Sequence, residues 1–336
     1  MNFKGRSFLT LKDYSKDEIL YLIDLAASLK AKKKREKYDP RLSGKLLEGK
    51  NIVLLFDKTS TRTRCSFEVA AMDEGAGVTF LTNSQIGRKE SLEDSAKVLG
   101  RIYDGIEYRG FDQRIVEDLS KFSGVPVFNG LTDDDHPTQV LADFLTALEH
   151  LEKPLDRMKL AFIGDGRNNV SNALLIGASK VGMDFSIGAP SSLHPNPTLL
   201  KECMGYASES GANIDICVDP REAVDGADII YTDIWCSMGE EDRMAQRIEL
   251  LKPYQVDKDL LKASGNDNVI FEHCLPSFHD LGTEIGKFVY ENYGLMEMEV
   301  TDEVFRSDAS VVFDEAENRM HTIKAVLVSH LSDLLD

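Results

Sequence analysis

Short apolar segments that alternate with amphipathic helical patterns constrain the fold of this chain more than any other feature. Asn51 to Phe56 (NIVLLF) and Lys159 to Gly164 (KLAFIG) are largely apolar runs with β-branched members, which is typical of parallel strands buried on both faces. Apolar residues recur at helical spacing in Asp17 to Lys34, which precedes the first of these runs, and again in segments between the runs. The alternation predicts an α/β fold with doubly wound parallel sheets.

Length and one break in this pattern predict two domains. A chain of 336 residues exceeds the ~100 to 200 residues of one ordinary domain. Around residue 151 the segment LEKPLDRM interrupts the alternation with a proline and charges, and a new strand follows. We therefore expect domains at 1–150 and 151–314. The chain ends in an amphipathic helix, predicted over Asp314 to Leu335, that is long enough for 315–336 to pack back on the first domain.

The other predicted elements follow from the same alternation. The strands are Gly77 to Leu81, Gly105 to Tyr108, Val125 to Asn129, Phe185 to Ala189, Asp215 to Val218, Ile229 to Thr232 and Val269 to Glu272. The helices are Ser91 to Tyr103, Gln113 to Phe122 and Thr138 to His150.

Charge and cysteine content exclude several classes of protein. With 57 Asp and Glu against 39 Lys and Arg, the net charge of -18 disfavours nucleic acid and anionic membranes as partners. The 5 cysteines are scattered without a CxxC pair, which argues against a disulfide framework and favours a reducing compartment. Because the N-terminus lacks a targeting pattern and no apolar run approaches ~18 residues, we expect a cytoplasmic protein.

Polar and cationic residues follow the strands of the first half. The segment Asp57 to Arg64 (DKTSTRTR) offers four hydroxyls and three cations directly after NIVLLF, at a strand-to-helix turn. Free backbone N–H groups and the helix dipole favour an oxyanion at such a turn. Asp135 to Gln139 (DHPTQ) and Arg109 follow two further strands. Since parallel strands end at one edge of their sheet, these residues are candidates for the same anion site.

The second half places different chemistry after its strands. Asp165 to Asn169 follow KLAFIG, Asp233 and 237–239 (SMG) follow Ile229 to Thr232, and His273 to Pro276 (HCLP) follow Val269 to Glu272. A carboxylate and amide side chains suit the charged and polar groups of an amino acid.

The sequence gives only weak evidence for three other kinds of site. Gly164-Asp165-Gly166 has no third glycine in GxGxxG register and no acid at the ribose position, so a nicotinamide site is disfavoured. GKLLEGKN at 44–51 resembles a P-loop but ends in Asn and precedes its strand. His273, Cys274 and His279 lack a clear fourth ligand for zinc, and we expect no metal.

Together STRTR at 60–64, HPTQ at 136–139, Asp233 with SMG, and HCLP at 273–276 resemble the aspartate/ornithine transcarbamoylase family. The first two motifs occur in both branches of that family, whereas SMG and HCLP mark the ornithine branch. The resemblance covers nearly the whole chain, including KES at 89–91, LGRIYDGIEYRG at 99–110 and ENRMHTIKA at 317–325. Arg88, where relatives often have His, and Ser277, where Ala is frequent, are departures from the pattern.

The resemblance implies a carbamoyl-phosphate domain followed by an ornithine domain. It implies a carbamoyl-phosphate site made of Ser60, Thr61, Arg62, Thr63, Gln85, Arg109, His136, Gln139, Cys274, Leu275 and Arg319. Gln85 would come from a neighbouring subunit, Cys274 and Leu275 would lie between the substrates, and Arg319 would reach back from the last helix. The implied ornithine ligands are Asn169, Asp233, Ser237 and Met238.

The activity that the resemblance implies is carbamoyl transfer from carbamoyl phosphate to the δ-amine of L-ornithine, which gives L-citrulline and phosphate in arginine biosynthesis or the arginine deiminase pathway. Arg62, Arg109, His136, Asp233 and Cys274 would be the catalytic residues. No cofactor is needed, and the family forms trimers or assemblies of trimers. The alternative is a transcarbamoylase that uses another amine, such as putrescine.

Overall fold

The computed structural model of the protein describes residues 1–36, 45–82, 89–236 and 243–333. The chain divides into two compact units: unit 1 is Met1–Leu145 with Ala316–Asp336, and unit 2 is Thr146–Glu315. Both divisions fall inside helices, so the connections are continuous helical backbone.

Unit 1 contains a parallel sheet flanked by helices. Among the described residues its four strands have the order β2-β1-β3-β4. The strands are β1 (Asn51–Phe56), β2 (Gly77–Thr82), β3 (Gly105–Arg109) and β4 (Val127–Leu131). The helices are α1 (Lys16–Glu36), α2 (Thr61–Asp73), α3 (Leu92–Ile102), α4 (Gln113–Ser123) and α5 (Pro137–Leu151).

The strand register of unit 1 brings its candidate loops to one edge. Phe56, the last residue of β1, pairs with Arg109 at the end of β3, and Arg109 pairs with Leu131 at the end of β4. The Asp57 N–H donates to the Arg109 carbonyl at 2.9 Å, and the Gly110 N–H donates to the Leu131 carbonyl at 3.0 Å. The loops that follow β1, β3 and β4 therefore start side by side.

The apolar runs form strands because their side chains are buried. β1 is buried at five of its six positions and β4 at all of its positions. The predicted start of β4 at Val125 is wrong by two residues, since β4 begins at Val127. Pro126 has no N–H to donate and delays the ladder, although its carbonyl accepts from the Ile106 N–H at 3.0 Å.

Unit 2 is built on a second parallel sheet, with the order β7-β6-β5-β8-β9 among the described residues. The strands are β5 (Lys159–Ile163), β6 (Asp184–Gly188), β7 (Ile214–Cys217), β8 (Ile229–Thr232) and β9 (Ile270–Glu272). The helices are α6 (Asn169–Val181), α7 (Pro197–Ser210), α8 (Pro220–Val224), α9 (Met244–Leu251), α10 (Lys258–Ala263), α11 (Glu284–Tyr293) and α12 (Asp302–Phe305).

The register of unit 2 aligns its own candidate loops. Ile163 pairs with Thr232, and Tyr231 pairs with Glu272. Gly164, Asp233 and His273 therefore leave the sheet at the same edge. A core that includes Trp235, Phe271 and Val300 packs around this end of the unit.

The last helix, α13 (Val312–Leu331), begins two residues before its predicted start and ends at Leu331, and its part from Ala316 belongs to unit 1. The predicted α/β fold with two parallel sheets is confirmed. In the part of the chain that the structure describes, no helix is both long and apolar enough to cross a membrane.

Candidate active site

The N-terminus of α2 forms the first part of the candidate site in unit 1. Ser60 is the N-cap, and its hydroxyl accepts a hydrogen bond from the Thr63 N–H at 3.3 Å. The first turn of α2 contains no acidic residue, and Arg62 in that turn is half-buried. Backbone N–H groups, the helix dipole and the Arg62 guanidinium thus concentrate positive potential where an oxyanion can bind.

Arg319 of α13 lies among the candidate residues of unit 1. Its side chain is buried, and its Nη2 donates to the hydroxyls of Thr63 at 3.3 Å and Thr138 at 3.4 Å. Its Nη1 donates to the Gln139 Oε1 and to the His136 Nε2, the latter at 3.2 Å. One guanidinium therefore connects the N-terminus of α2 with the N-terminus of α5.

Arg109 and Gln139 extend this cluster. The Arg109 Nη1 donates to the Thr63 hydroxyl at 3.3 Å, so Thr63 accepts from two guanidiniums. The Gln139 amide donates to the Asp143 carboxylate at 2.8 Å, which orients its carbonyl oxygen toward Arg319. Eight residues predicted for the carbamoyl-phosphate site belong to the described part of unit 1. Six of them lie at the starts of α2 and α5, and the other two are Arg109, at the end of β3, and Arg319, in α13.

The His136 imidazole is neutral in this setting. Burial lowers the pKa of His136 well below the ordinary 6.5, and the charges of Arg319 and Arg109 lower it further, with a smaller effect of Arg62. Because a guanidinium can only donate, the Nε2 of His136 accepts from Arg319 and the ring proton is assigned to Nδ1. His136 can therefore serve as a hydrogen-bonding group without being a cation.

A buried carboxyl group lies on β3 beside the cationic cluster. Glu107 is on the same strand face as Arg109 and is fully buried, and within the described residues neither of its carboxyl oxygens has a hydrogen-bond partner. Burial raises the pKa of Glu107 well above the ordinary 4.5, although Arg109 and Arg319 oppose the shift. A neutral carboxyl group leaves the positive charge of the cluster undiminished.

In unit 2, Asp233 is held directly after β8 by three donors. Its Oδ2 accepts from the Asn168 amide at 2.8 Å, and its Oδ1 accepts from the Ile234 N–H at 2.8 Å and from the Cys274 thiol at 3.3 Å. Asn168 is also the N-cap of α6, where its carbonyl oxygen accepts from the Val170 N–H at 2.7 Å. These contacts fix a partly desolvated carboxylate that can bind an ammonium group.

The HCLP segment follows β9 in a constrained conformation. Leu275 has φ +57°, which is uncommon for a residue that is not glycine, and its peptide bond to Pro276 is cis. The Leu275 N–H donates to the His273 Nδ1 at 2.9 Å. Cys274 is half-buried beside Asp233. The structure therefore brings Asp233 and Cys274 together, as expected for the amino-acid half of the site, and Asn169 is the first residue of α6, next to Asn168.

The three residues weighed for zinc do not form one group. Among the described residues, His273 and Cys274 cluster with Asp233, whereas His279 clusters with Asp280 and Asp302. The His279 Nδ1 lies 2.7 Å from the Asp302 Oδ1, and Arg306 also donates to Asp302.

Comparison with known proteins identifies the family. A family model described as the aspartate/ornithine carbamoyltransferase carbamoyl-P binding domain matches residues 6–149. A second, described as the Asp/Orn binding domain of the same family, matches residues 156–330. The chain belongs to the aspartate/ornithine carbamoyltransferase family. Both of its units thus correspond to carbamoyltransferase domain models over most of their length.

Individual members of the carbamoyltransferase family are similar over nearly the full chain. Ornithine carbamoyltransferase, catabolic, from Clostridium perfringens strain 13 is 60% identical over 330 residues, 98% of each chain. The catabolic enzyme of Bacillus licheniformis is 59% identical, over 99% of this chain and 98% of the relative. The solved ornithine carbamoyltransferase of Pyrococcus furiosus superposes with a TM-score of 0.88 at 39% identity, over 98% of each chain. The solved anabolic ornithine carbamoyltransferase of Campylobacter jejuni superposes with a TM-score of 0.82 at 34% identity, over 96% of this chain and 97% of that chain.

Three predicted carbamoyltransferase site residues, Gln85, Ser237 and Met238, lie outside the described residues. Sequence reasoning missed Glu107, Glu299 and Glu315, which lie near the predicted residues or their neighbours in the chain, whereas Asn168 belongs to the candidate loop Asp165 to Asn169. An acidic residue inside an apolar strand was the available indication for Glu107. For Glu299 and Glu315 the sequence offers no local pattern, because their partners lie far along the chain.

Proposed function

We propose that the protein transfers the carbamoyl group of carbamoyl phosphate to the δ-amine of L-ornithine, forming L-citrulline and phosphate. The observation that carries the proposal is the convergence of Arg319 and Arg109 on Thr63, at a helix N-terminus that also presents Ser60 and Arg62. The ornithine carbamoyltransferases that match nearly the whole chain support the choice of acceptor.

Unit 1 binds carbamoyl phosphate in this proposal. Ser60, Thr61, Arg62 and Thr63 hold the phosphate with backbone N–H groups, hydroxyls and a guanidinium. Arg109, His136 and Gln139 bind the carbamoyl group, and Arg319 holds these residues together. By resemblance to the family, Gln85 of a neighbouring subunit completes the phosphate site. The domain at 1–150 with the helix at 315–336 is the carbamoyl-phosphate domain.

Unit 2 binds ornithine. Asp233 accepts from the ammonium group of the amino acid, and Asn169, Ser237 and Met238 complete the binding of its α-amino acid end. Cys274 lies beside Asp233 and shapes the pocket for the δ-amine, while Leu275 contributes its backbone. The domain at 151–314 is the ornithine domain.

The chemistry is a direct acyl transfer. The neutral δ-amine attacks the carbonyl carbon, a C–N bond forms, the C–O bond to phosphate breaks, and the departing phosphate accepts the proton that the nitrogen loses. With a lysine-like pKa of ~10.4, deprotonating the amine at pH 7 costs roughly 4.6 kcal/mol, so the site must select or generate the free base. Arg62, Arg109 and His136 stabilise negative charge that develops on the carbonyl and phosphate oxygens.

The proposed compartment, oligomeric state and pathway of the enzyme follow from the same resemblance. We infer a cytoplasmic homotrimer or assembly of trimers that needs no organic cofactor or metal and acts in arginine metabolism. Relatives named catabolic and a structural neighbour named anabolic both match the chain, so the proposal covers either direction of flux.

The test is citrulline formation from carbamoyl phosphate with ornithine, run in parallel with putrescine, lysine, acetylornithine and aspartate. A strong preference for ornithine is the expected result. Turnover of putrescine alone would keep the carbamoyl-phosphate half of the proposal and replace the acceptor. Absence of product with every acceptor would contradict the proposed function.

A further inference from the structure

The two ring nitrogens of His273 face different groups inside unit 2. His273 is the first residue after β9 and is completely buried. Its Nδ1 accepts the Leu275 N–H at 2.9 Å, and its Nε2 lies 3.4 Å from the Glu299 Oε1. A nitrogen that accepts a hydrogen bond carries no proton, so the hydrogen bonds assign the ring proton to Nε2, which faces Glu299.

Glu299 is the group that fixes this tautomer. Its side chain is fully buried, and its Oε1 also accepts from the Phe278 N–H at 2.6 Å and from the Ser277 hydroxyl at 2.9 Å. The Met298 N–H donates to the Phe278 carbonyl at 2.9 Å. The Glu299 carboxylate therefore contacts both ends of the segment 273–278. The backbone of the preceding residue, Met298, adds a second contact to the Phe278 end.

The bond from Leu275 to His273 supports a backbone conformation that is otherwise unfavourable. A left-handed backbone conformation is unfavourable for a residue other than glycine and persists where its surroundings determine it. Leu275 has φ +57°, and its N–H is bound within two residues by the His273 ring. The neighbouring Cys274 donates to Asp233. Loss of the His273 acceptor would therefore displace the Cys274–Leu275 backbone.

Three carboxylates lie near His273. The His273 N–H donates to the Glu315 Oε2 at 2.8 Å, and the Tyr231 hydroxyl donates to the Glu315 Oε1 at 3.2 Å. Glu299 and Asp233 are the other charged groups that act on the ring. The Leu275 N–H needs an unprotonated Nδ1, so this hydrogen bond favours the ring form whose single proton is on Nε2, against the pull of the carboxylates toward the cation.

We propose that His273 is a positioning residue whose Nδ1 holds the Leu275 backbone, and with it Cys274, in the reactive conformation, while Glu299 fixes the tautomer. This inference rests on the proposed function, because Cys274 and Leu275 act there beside the δ-amine. His273 itself touches no substrate.

Two substitutions distinguish the roles of the two ring nitrogens of His273. In H273N the Asn oxygen occupies the place of Nδ1 and can accept the Leu275 N–H, whereas in H273Q the amide occupies the place of Nε2 and keeps the contact with Glu299. We expect kcat for citrulline formation to fall about 100-fold in H273Q and less than about tenfold in H273N, because a displacement of about 1 Å at a reacting group costs about 10² in rate.

The control is H150N, which removes another histidine–carboxylate pair of unit 2, formed by the His150 Nε2 and the Asp314 Oδ2 at 3.0 Å. We expect it to retain wild-type kcat. Equal losses of kcat in H273N and H273Q, with active wild-type enzyme, would overturn the inference and leave the proposed function intact. Wild-type protein that makes no citrulline would instead contradict the proposed function.

A spectroscopic measurement on the wild-type protein covers the case in which H273Q does not fold. Nitrogen NMR of histidine-labelled protein distinguishes a protonated ring nitrogen from an unprotonated one, and H273N identifies the His273 resonances among the 7 histidines. An unprotonated Nδ1 at neutral pH supports the inference. A protonated Nδ1 would overturn it, since that nitrogen could not accept from Leu275.

Discussion

In unit 1 the buried imidazole of His136 is surrounded by guanidiniums, whereas in unit 2 the buried imidazole of His273 is surrounded by carboxylates. Burial and the charges of Arg319 and Arg109 hold the pKa of His136 well below 6.5. Burial also opposes charge on His273, but the hydrogen bond and charge of Glu299, aided by Asp233, raise the pKa of His273. The two units therefore shift the pKa of the same residue type in opposite directions.

The difference matches the charges of the two proposed substrates. Carbamoyl phosphate is an anion, and a cluster of guanidiniums with a neutral histidine and a neutral Glu107 attracts it without a competing negative charge. Ornithine carries ammonium groups, and unit 2 presents the Asp233 carboxylate. Each unit thus has a buried electrostatic environment opposite in sign to the group it binds.

The largest expected effect comes from removing a cation of unit 1. R62A should lower kcat/KM for carbamoyl phosphate about 10³-fold, or roughly 4 kcal/mol, because Arg62 contributes both binding and charge stabilisation. The measurement is the initial rate against carbamoyl-phosphate concentration. The control is R114A, whose side chain is 83% exposed and pairs with Asp112. A comparable loss in R114A would show that general charge, and not the cluster, attracts the substrate.

The next effect concerns stability in acid. Burial lowers the pKa of His330 in unit 1 to about 4 from 6.5, so the folded state excludes a proton that the unfolded chain binds. Its stabilising contribution is complete above pH 6.5 and is lost progressively as the pH falls toward 4, by about 3 kcal/mol in total. Urea unfolding of the wild type and H330Q across this range should show a shallower pH dependence in H330Q. Parallel curves would contradict the account.

The third prediction addresses the carboxylate of unit 2. D233N should lower kcat/KM for ornithine about 100-fold, or roughly 2.7 kcal/mol, because the amide keeps the shape but loses the charge that binds an ammonium group. Initial rates against ornithine concentration give the value. D225N, at an exposed aspartate of the same unit, is the matched control and should behave as wild type.

The smallest effect is expected at Glu107. Because burial raises the pKa of this carboxyl group well above 4.5, we expect E107Q to replace one neutral group by another of the same size and to change kcat/KM for carbamoyl phosphate less than about threefold. Rates at neutral pH provide the measurement. A large loss of activity would show that Glu107 acts as an anion and would break the contrast between the two units.

Much of the fold could be predicted because buried strands have a distinct pattern. NIVLLF is buried at five of six positions and forms β1 with the predicted bounds. The error at β4 arose because Val125 precedes Pro126, and hydropathy does not register that a proline lacks the N–H of a ladder.

The candidate site was partly predictable for a related reason. Ser60 to Thr63 and His136 to Gln139 lie where the loops that follow β1 and β4 lead into helices, so topology alone places them at one edge. The contact of Arg319 with His136 spans 183 residues and came only from the family resemblance. The pairing of His273 with Glu299 joins two segments that are separate in the sequence, and no local pattern encodes it.

The most direct test of the division between the two units is a crossed kinetic experiment on R62A and D233N. The KM for each substrate is measured in each variant at saturating or highest attainable concentrations of the other. We expect R62A to raise the KM for carbamoyl phosphate and to leave the KM for ornithine near the wild-type value, and D233N to do the reverse. Similar increases of both KM values in both variants would contradict it.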